Sequence, residues 1–192
     1  MDRYLFWIDR VSAFSGKAVA WAIVALTGVV CYDVGMRYFV NQPTQWAFDW
    51  SYILYGTLFM VAGAYTLSRD GHVRGDLWYR ALQPRTQAGI DLALYVLFFL
   101  PGITALIYAG IEFTKTSWAI REVSSVTASG TPIYPFKLMI PIAGALLLLQ
   151  GFAEMARCIL CLRTGEWPRR LHDVEEADIE QIRALVEGEK KS

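Results

Sequence analysis

The sequence predicts an all-α membrane protein with four transmembrane helices. The chain has 192 residues, of which 55% are hydrophobic, and these residues gather in long runs instead of being dispersed as in a soluble domain. A basic, amphipathic insert, residues 68–85, lies between the first two runs and the last two. Lys and Arg in short connections stay on the cytoplasmic side of a membrane, so this insert sets the predicted orientation of the whole chain.

Four runs are long enough to cross about 30 Å of hydrocarbon at about 1.5 Å per residue. We predict spans over residues 18–39, 46–67, 89–113 and 136–162. Pro43 breaks the helix after the first span, and Pro101 with Gly102 interrupts the third, where we expect a bend. The first run ends without the small-x-small pattern of a cleavage site, so we expect it to be kept as an anchor.

Two shorter segments are predicted to lie in the membrane interface. Residues 1–17 place aromatic and apolar side chains on one helical stripe and cations on another (Tyr4, Trp7, Val11 and Phe14; Arg3, Arg10 and Lys17). Residues 71–83 have a comparable apolar face. The remainder, residues 163–192, is predicted to be a cytoplasmic tail, either an amphipathic docking helix or a solvated acidic segment.

The distribution of cations predicts that both termini are cytoplasmic. Eleven Lys and Arg residues fall in the predicted inner segments (Arg3, Arg10, Lys17, Arg69, Arg74, Arg80, Arg85, Arg157, Arg163, Arg169, Arg170). Four fall in the outer connections and their margins (Arg37, Lys115, Arg121, Lys137). Because positive residues are enriched on the cytoplasmic side, this excess places the insert and both chain ends inside.

Charged residues inside the predicted spans are the candidates for function. Asp33 and Arg37 are four residues apart, and Glu154 and Arg157 are three apart, so each pair can meet on one helical face. Asp49 lies one turn inside the second span. Charges in lipid are costly, and they are compatible with a substrate or ion path. The near balance of opposite charges in each cluster favours ion pairs that lock helices together.

Other chemistry has little support in the sequence. Cys158 and Cys161 form a C-x-x-C, which leaves open a membrane thiol oxidoreductase, although Cys31 lies in the opposite half of the membrane and cannot relay electrons. His72 and His172 lie in different inner segments, so we predict neither a metal site nor a haem. Zero formal charge gives no field for nucleic acid. We therefore predict a protein without a cofactor that is not an enzyme.

Several motifs, in this order around four spans, resemble those of the small membrane subunit of tripartite ATP-independent periplasmic (TRAP) transporters, the DctQ type. Arg37 ends the first span and Trp46-x-x-Asp49 begins the second. The segment 71–76 reads GHVRGD, and Pro132-x-x-Pro135-x-Lys137 leads into the fourth span. The chain departs from the family at Asp49, where glutamate is common, at Phe48, where a second acidic residue sometimes stands, and at Ile133-Tyr134, where an aromatic commonly follows the loop proline.

The resemblance implies a role that the residues alone do not. In such transporters a periplasmic binding protein captures an organic acid, a large membrane subunit imports it with sodium, and the small subunit braces the large one in the bacterial inner membrane. Substrate and sodium sites belong to the large subunit. For this chain the resemblance implies contacts with the partner or with lipid (Arg37, Asp49, His72, Arg74, Asp76, Trp78). A free-standing assembly or signalling scaffold is a further alternative.

Overall fold

Helices form nearly all of the regular structure in the described part of the chain. The computed structural model describes residues 2–69, 79 and 82–168. Its long helices are α1 (Asp2–Ala20), α2 (Ala22–Gly35), α3 (Ala47–Ser68), α4 (Pro84–Leu94), α5 (Leu100–Ala119) and α7 (Met139–Thr164), with the short α6 (Tyr134–Lys137) before the last. One isolated antiparallel bridge, between Val123 and Pro132, closes the connection that precedes α6.

Three stretches of the described residues are helical, long and apolar enough to cross a membrane. They are Tyr4–Val40, Pro84–Ala119 and Tyr134–Thr164. Each contains one of the predicted spans and is longer than it. The predicted span 46–67 coincides with α3, a 22-residue helix. Asp49 and several tyrosines and threonines lower the mean hydropathy of α3, so its crossing of the membrane remains a prediction, as do the sides on which the termini lie.

Turn-forming residues lie at several helix boundaries, and the one at Pro43 is predicted by the sequence. After the π-helical segment Met36–Val40, Asn41 adopts a left-handed conformation with φ 55° shortly before Pro43. Pro84 occupies the first turn of α4, where a missing N–H costs little. Gly165, with φ 85°, ends α7 and donates its N–H to the Cys161 carbonyl at 2.8 Å. The third predicted span continues beyond Phe113 to Ala119, so the connection before α6 is residues 120–133.

The helix around Pro101 contains a wide turn. The π-helical segment Tyr95–Phe99 lies directly before α5, and the Leu100 N–H reaches back to the Tyr95 carbonyl. Proline has no N–H and its ring clashes with the carbonyl four residues earlier, which an α-helical turn cannot accommodate. A π-helical turn at this point is therefore the local response to proline within a helix that continues on both sides.

Helix α7 is the shared neighbour of most of the long helices. It packs against α1, α3, α4 and α5, and α3 also packs against α1 and α2. Gly144 allows the close approach of α5, since a Cβ there would lie 2.7 Å from Ile107 Cγ1. Gly56 of α3 lies against Phe136. We call the end of this assembly that carries residues 120–133 the loop end, and the end that carries the start of α1 and the end of α7 the terminal end.

Helix α1 buries a different face from the one that its aromatic pattern marks. Leu5, Asp9 and Ser12 are buried against the rest of the chain. Trp7 and Phe14, on the stripe predicted to point into the interface, are exposed. The helix is also longer than the predicted segment 1–17, because it reaches Ala20 and leads directly into α2. Most of the second predicted interfacial helix, residues 71–83, lies outside the described residues.

Candidate functional site

Two buried polar clusters, one at each end of the assembly, are the candidate functional sites. The terminal cluster consists of Asp9, Ser12, Gln150, Glu154 and Arg157, and all five residues are at most 2% exposed. The loop cluster is Asp49 with the hydroxyl residues of the loop that surround it. Burial of charged and polar groups is costly unless they find partners, so the partners in each cluster show what the cluster does.

The terminal cluster joins α1 to α7 through a buried guanidinium. Arg157 Nη2 lies 2.5 Å from Asp9 Oδ2, and Nη1 pairs with Glu154 Oε1. Gln150 Nε2 donates to Asp9 Oδ1 at 3.0 Å and to Glu154 Oε1 at 3.2 Å, and accepts at Oε1 from the Ser12 hydroxyl at 2.8 Å. The geometry provides two carboxylates for one guanidinium, which offsets the cost of burying it.

One donor of this cluster has no partner among the described residues. Arg157 Nε is buried and makes no hydrogen bond there. Both terminal nitrogens of the guanidinium have carboxylate partners, and the Nη2 contact with Asp9 joins α1 to α7. We call this contact between the two helices the Arg157 clamp. The i, i+3 spacing of Glu154 and Arg157 pointed to their pairing, whereas Asp9 and Ser12 were not among the sequence-based candidates.

The loop cluster places one carboxylate under several hydroxyl groups. Asp49 is 3% exposed. Its Oδ1 accepts from the Ser124 hydroxyl at 2.6 Å, and its Oδ2 accepts from the hydroxyls of Ser129, at 3.0 Å, and Thr127. Hydrogen bonds to an ionised group are stronger than those between neutral groups. Asp49 therefore fixes the connection between α5 and α6 onto the start of α3.

A second ion pair holds the base of the same loop. Lys137 of α6 pairs with Glu122, which also accepts from the Ser117 hydroxyl at 2.7 Å. The Lys137 ammonium and then the Ser117 hydroxyl hold the pKa of Glu122 below its usual range. Lys137, at the end of α6, thereby links the start of the last span to the loop.

The predicted pair of Asp33 and Arg37 meets near the loop end. Arg37 Nη2 lies 3.0 Å from Asp33 Oδ2. Asp33 also accepts from the backbone N–H of Thr44 at 3.0 Å and from its hydroxyl, which ties the end of α2 to the turn before α3. The Arg37 side chain is more than half exposed, so this pair is solvated or lipid-facing and adds little stability.

The remaining candidate site residues are two buried cysteines and four residues that lie outside the described part of the chain. Cys158 and Cys161 are 2% and 0% exposed and form a core cluster with Ala88, packed by Leu92 and Trp167. The Cys161 thiol lies 3.6 Å from the Pro84 carbonyl. This packing offers no access for a thiol exchange partner. Four further candidates lie outside the described residues (His72, Arg74, Asp76, Trp78).

No group of three or more His, Cys, Asp or Glu side chains that could hold a metal ion occurs in the part of the chain that the structure describes. The described contacts of both clusters join helices and fix a loop. Arg157 and Arg85 lie at the terminal end, Arg85 beside Gly165, and Lys137 and Arg37 lie at the loop end.

Comparison with known proteins agrees with the resemblance noted in the sequence. A family model for the DctQ component of tripartite ATP-independent periplasmic transporters matches residues 26–161, which include the loop cluster and the α7 part of the terminal cluster. A search of the curated proteins gives no match. The family match covers most of the chain and all of its long helices except α1, and it identifies the chain as a membrane component of a transporter. The chain belongs to the DctQ family, the small-subunit component of tripartite ATP-independent periplasmic transporters.

Proposed function

We propose that this chain is a static brace for the large membrane subunit of a sodium-coupled carboxylate importer, to which a periplasmic binding protein delivers the substrate. Membership of the DctQ family supports a role as one component among several. The proposed setting is the bacterial inner membrane, with α3 as a fourth span, the loop end in the periplasm and both termini in the cytoplasm. The excess of Lys and Arg in the sequence segments predicted to be cytoplasmic, eleven against four in the outer connections, supports that orientation.

One observation supports the bracing role most directly. The charged side chains buried in the described residues have their partners within the chain itself. Four charged side chains are buried in the described residues, Asp9, Asp49, Glu154 and Arg157. Asp9, Asp49 and Arg157 take part in internal hydrogen bonds or ion pairs that join separate elements, and Glu154 pairs with Arg157 within α7. A path for a carboxylate or an ion needs polar groups that are available to the passing substrate. Internal pairing instead suits a component that must keep its shape while a partner moves.

The packing favours the same role. Transporters that alternate access between two sides rely on paired repeats and on broken helices around a central site. Within the described residues α7 packs against α1, α3, α4 and α5, and Gly144 brings α5 into close contact, which favours a single fixed assembly. The proposed contacts to the large subunit and to lipid are Arg37, the surface around the loop cluster fixed by Asp49, and the insert residues His72, Arg74, Asp76 and Trp78.

Uptake into proteoliposomes tests the proposal. We expect carboxylate uptake driven by a sodium gradient when this chain, the large subunit and the binding protein are all present. Omission of this chain should reduce uptake to background, and so should omission of the large subunit. Uptake by this chain alone would contradict the bracing role. Full uptake by the large subunit and binding protein without this chain would contradict it as well.

The thiol alternative has its own test. Replacing Cys158 and Cys161 with alanine should leave uptake by the assembled transporter unchanged, because both thiols are buried beside Ala88 and are not accessible to an exchange partner. Alanine avoids burying a hydroxyl group, and the expected stability loss is about 1 kcal/mol per residue. The matched control is Cys31→Ala, since the chain itself does not bury Cys31. Loss of activity in the double variant with assembly intact would revive a redox role.

A further inference from the structure

The exposed side of α1 combines aromatic residues with cations. Tyr4, Trp7 and Phe14 are 80%, 65% and 74% exposed. Arg10 and Lys17 are exposed beside them. The opposite side of the helix is the one that holds Asp9 and Ser12 in the terminal cluster. The aromatic and cationic side chains therefore point away from the protein, and nothing in the described chain covers them.

The position of α1 along the assembly places this surface near one membrane boundary. Gly63 of α3 lies 3.7 Å from the Leu147 side chain of α7. From that level, α3 continues for about 8 Å to its end at Ser68, whereas Arg157 lies about 15 Å further along α7. Asp9 contacts Arg157, so the first half of α1 lies beyond the end of α3.

The length of α3 indicates where the first half of α1 lies relative to the hydrocarbon layer of the membrane. With 22 residues, α3 is about 33 Å long, close to the hydrocarbon thickness of about 30 Å. If α3 fills the hydrocarbon layer, the part of α1 that lies beyond Ser68 is at the level of the headgroups. Aromatic side chains prefer that level because their rings are apolar and their polar atoms remain hydrated.

The cations on this surface indicate which kind of molecule binds to it. Neither Arg10 nor Lys17 is paired with a carboxylate anywhere in the described residues. The two cations are about 10 Å apart along the helix, each one turn from an exposed aromatic ring. Amphipathic helices that bind membrane surfaces have this arrangement, with rings at the acyl boundary and cations among phosphates. Anionic phospholipids complement both features.

We propose that the exposed face of α1 is a binding surface for anionic phospholipid headgroups on the terminal side of the membrane. Arg10, beyond the end of α3, contacts the phosphates directly, while Lys17, next to Gly16 at the level of Tyr65, reaches them by extending its long side chain outward. Tyr4 and Trp7 lie at the headgroup level, and Phe14 lies at the edge of the acyl region. The Asp9 and Arg157 contact keeps this face turned outward by holding the opposite face against α7. The lipid surface is separate from Arg37 and the loop cluster, which lie at the loop end.

Native mass spectrometry of the full chain, released from nanodiscs of phosphatidylcholine and phosphatidylglycerol, tests the proposal. We expect the wild-type chain to retain phosphatidylglycerol preferentially. The variant with Arg10→Gln and Lys17→Gln should lose about fivefold of that preference per cation removed. Added salt should weaken the preference of the wild type and leave that of the variant little changed. Both side chains are exposed, so the thermal stability of the variant should equal that of the wild type.

The matched control removes two exposed cations at the other end of the molecule. Lys115→Gln with Arg121→Gln lowers the net charge equally and should keep the preference for phosphatidylglycerol. An equal loss in the control would show that bulk charge causes the effect and would overturn the proposal. An Arg10 and Lys17 variant that keeps its lipid preference but no longer co-purifies with the large subunit would also overturn it, because α1 would then be a protein contact.

Discussion

Replacing Arg157 with methionine is expected to be the most destabilising single change in the described chain. The guanidinium is 1% exposed and is shared by Asp9 and Glu154. Methionine fills similar space but leaves two carboxylates buried beside each other without a cation. Removal of one partner from a buried ion pair costs about 3–5 kcal/mol. We expect a much lower melting temperature in detergent, with α1 released from α7.

Two comparison variants distinguish the stability lost with the buried ion pair from the effect of any substitution of arginine by methionine in α7. Arg163 is exposed on the last turn of the same helix, and Arg163→Met should change stability by at most about 0.5 kcal/mol. Adding Asp9→Asn and Glu154→Gln to Arg157→Met removes all three charges, and most of the lost stability should return, because an uncharged cluster no longer buries unpaired carboxylates. A single Arg157 variant as stable as the wild type would contradict the clamp.

Local sequence patterns were enough to predict the features of this structure that depend on residues close together in the sequence. Hydrophobic runs located most of the long helices, and Pro43 marked the break after the first span. The three-residue spacing of Glu154 and Arg157 is a property of one helix, so it could be read directly. The wide turn before Pro101 also follows from a local rule, although the sequence suggested only a bend.

Contacts between distant segments could not be predicted in the same way. Asp9 and Arg157 are separated by 148 positions, and the aromatic stripe of α1 drew attention to the opposite face of that helix. The hydroxyl donors of the loop cluster lie 75 to 80 positions from Asp49, in a Ser- and Thr-rich loop with no periodic pattern. Such pairings depend on how the helices pack, and composition and spacing carry no information about that packing.

Replacing Asp49 with asparagine is expected to weaken assembly with the large subunit more than it changes the affinity for substrate. Asparagine keeps the shape but presents an amide donor where an oxygen now accepts from Thr127 and Ser129. A hydrogen bond to a charged group contributes about 1.5–3 kcal/mol, so amide exchange in residues 120–133 should accelerate by about ten- to hundredfold. Hydrogen exchange measured on the purified chain reports this loosening directly.

Assembly and transport then show whether the fixed loop is a docking surface. The fraction of large subunit that co-purifies with Asp49→Asn should fall, while transporters that do assemble should keep the wild-type KM for substrate. Glu112→Gln is the matched control, because Glu112 is an exposed carboxylate near the same end and pairs only with Lys115 among the described residues. If Asp49→Asn assembles normally and the KM rises, Asp49 belongs to the substrate path. Because the carboxylate is buried beneath the loop and already bonded to three hydroxyls, we expect its effect to pass through the shape of residues 120–133.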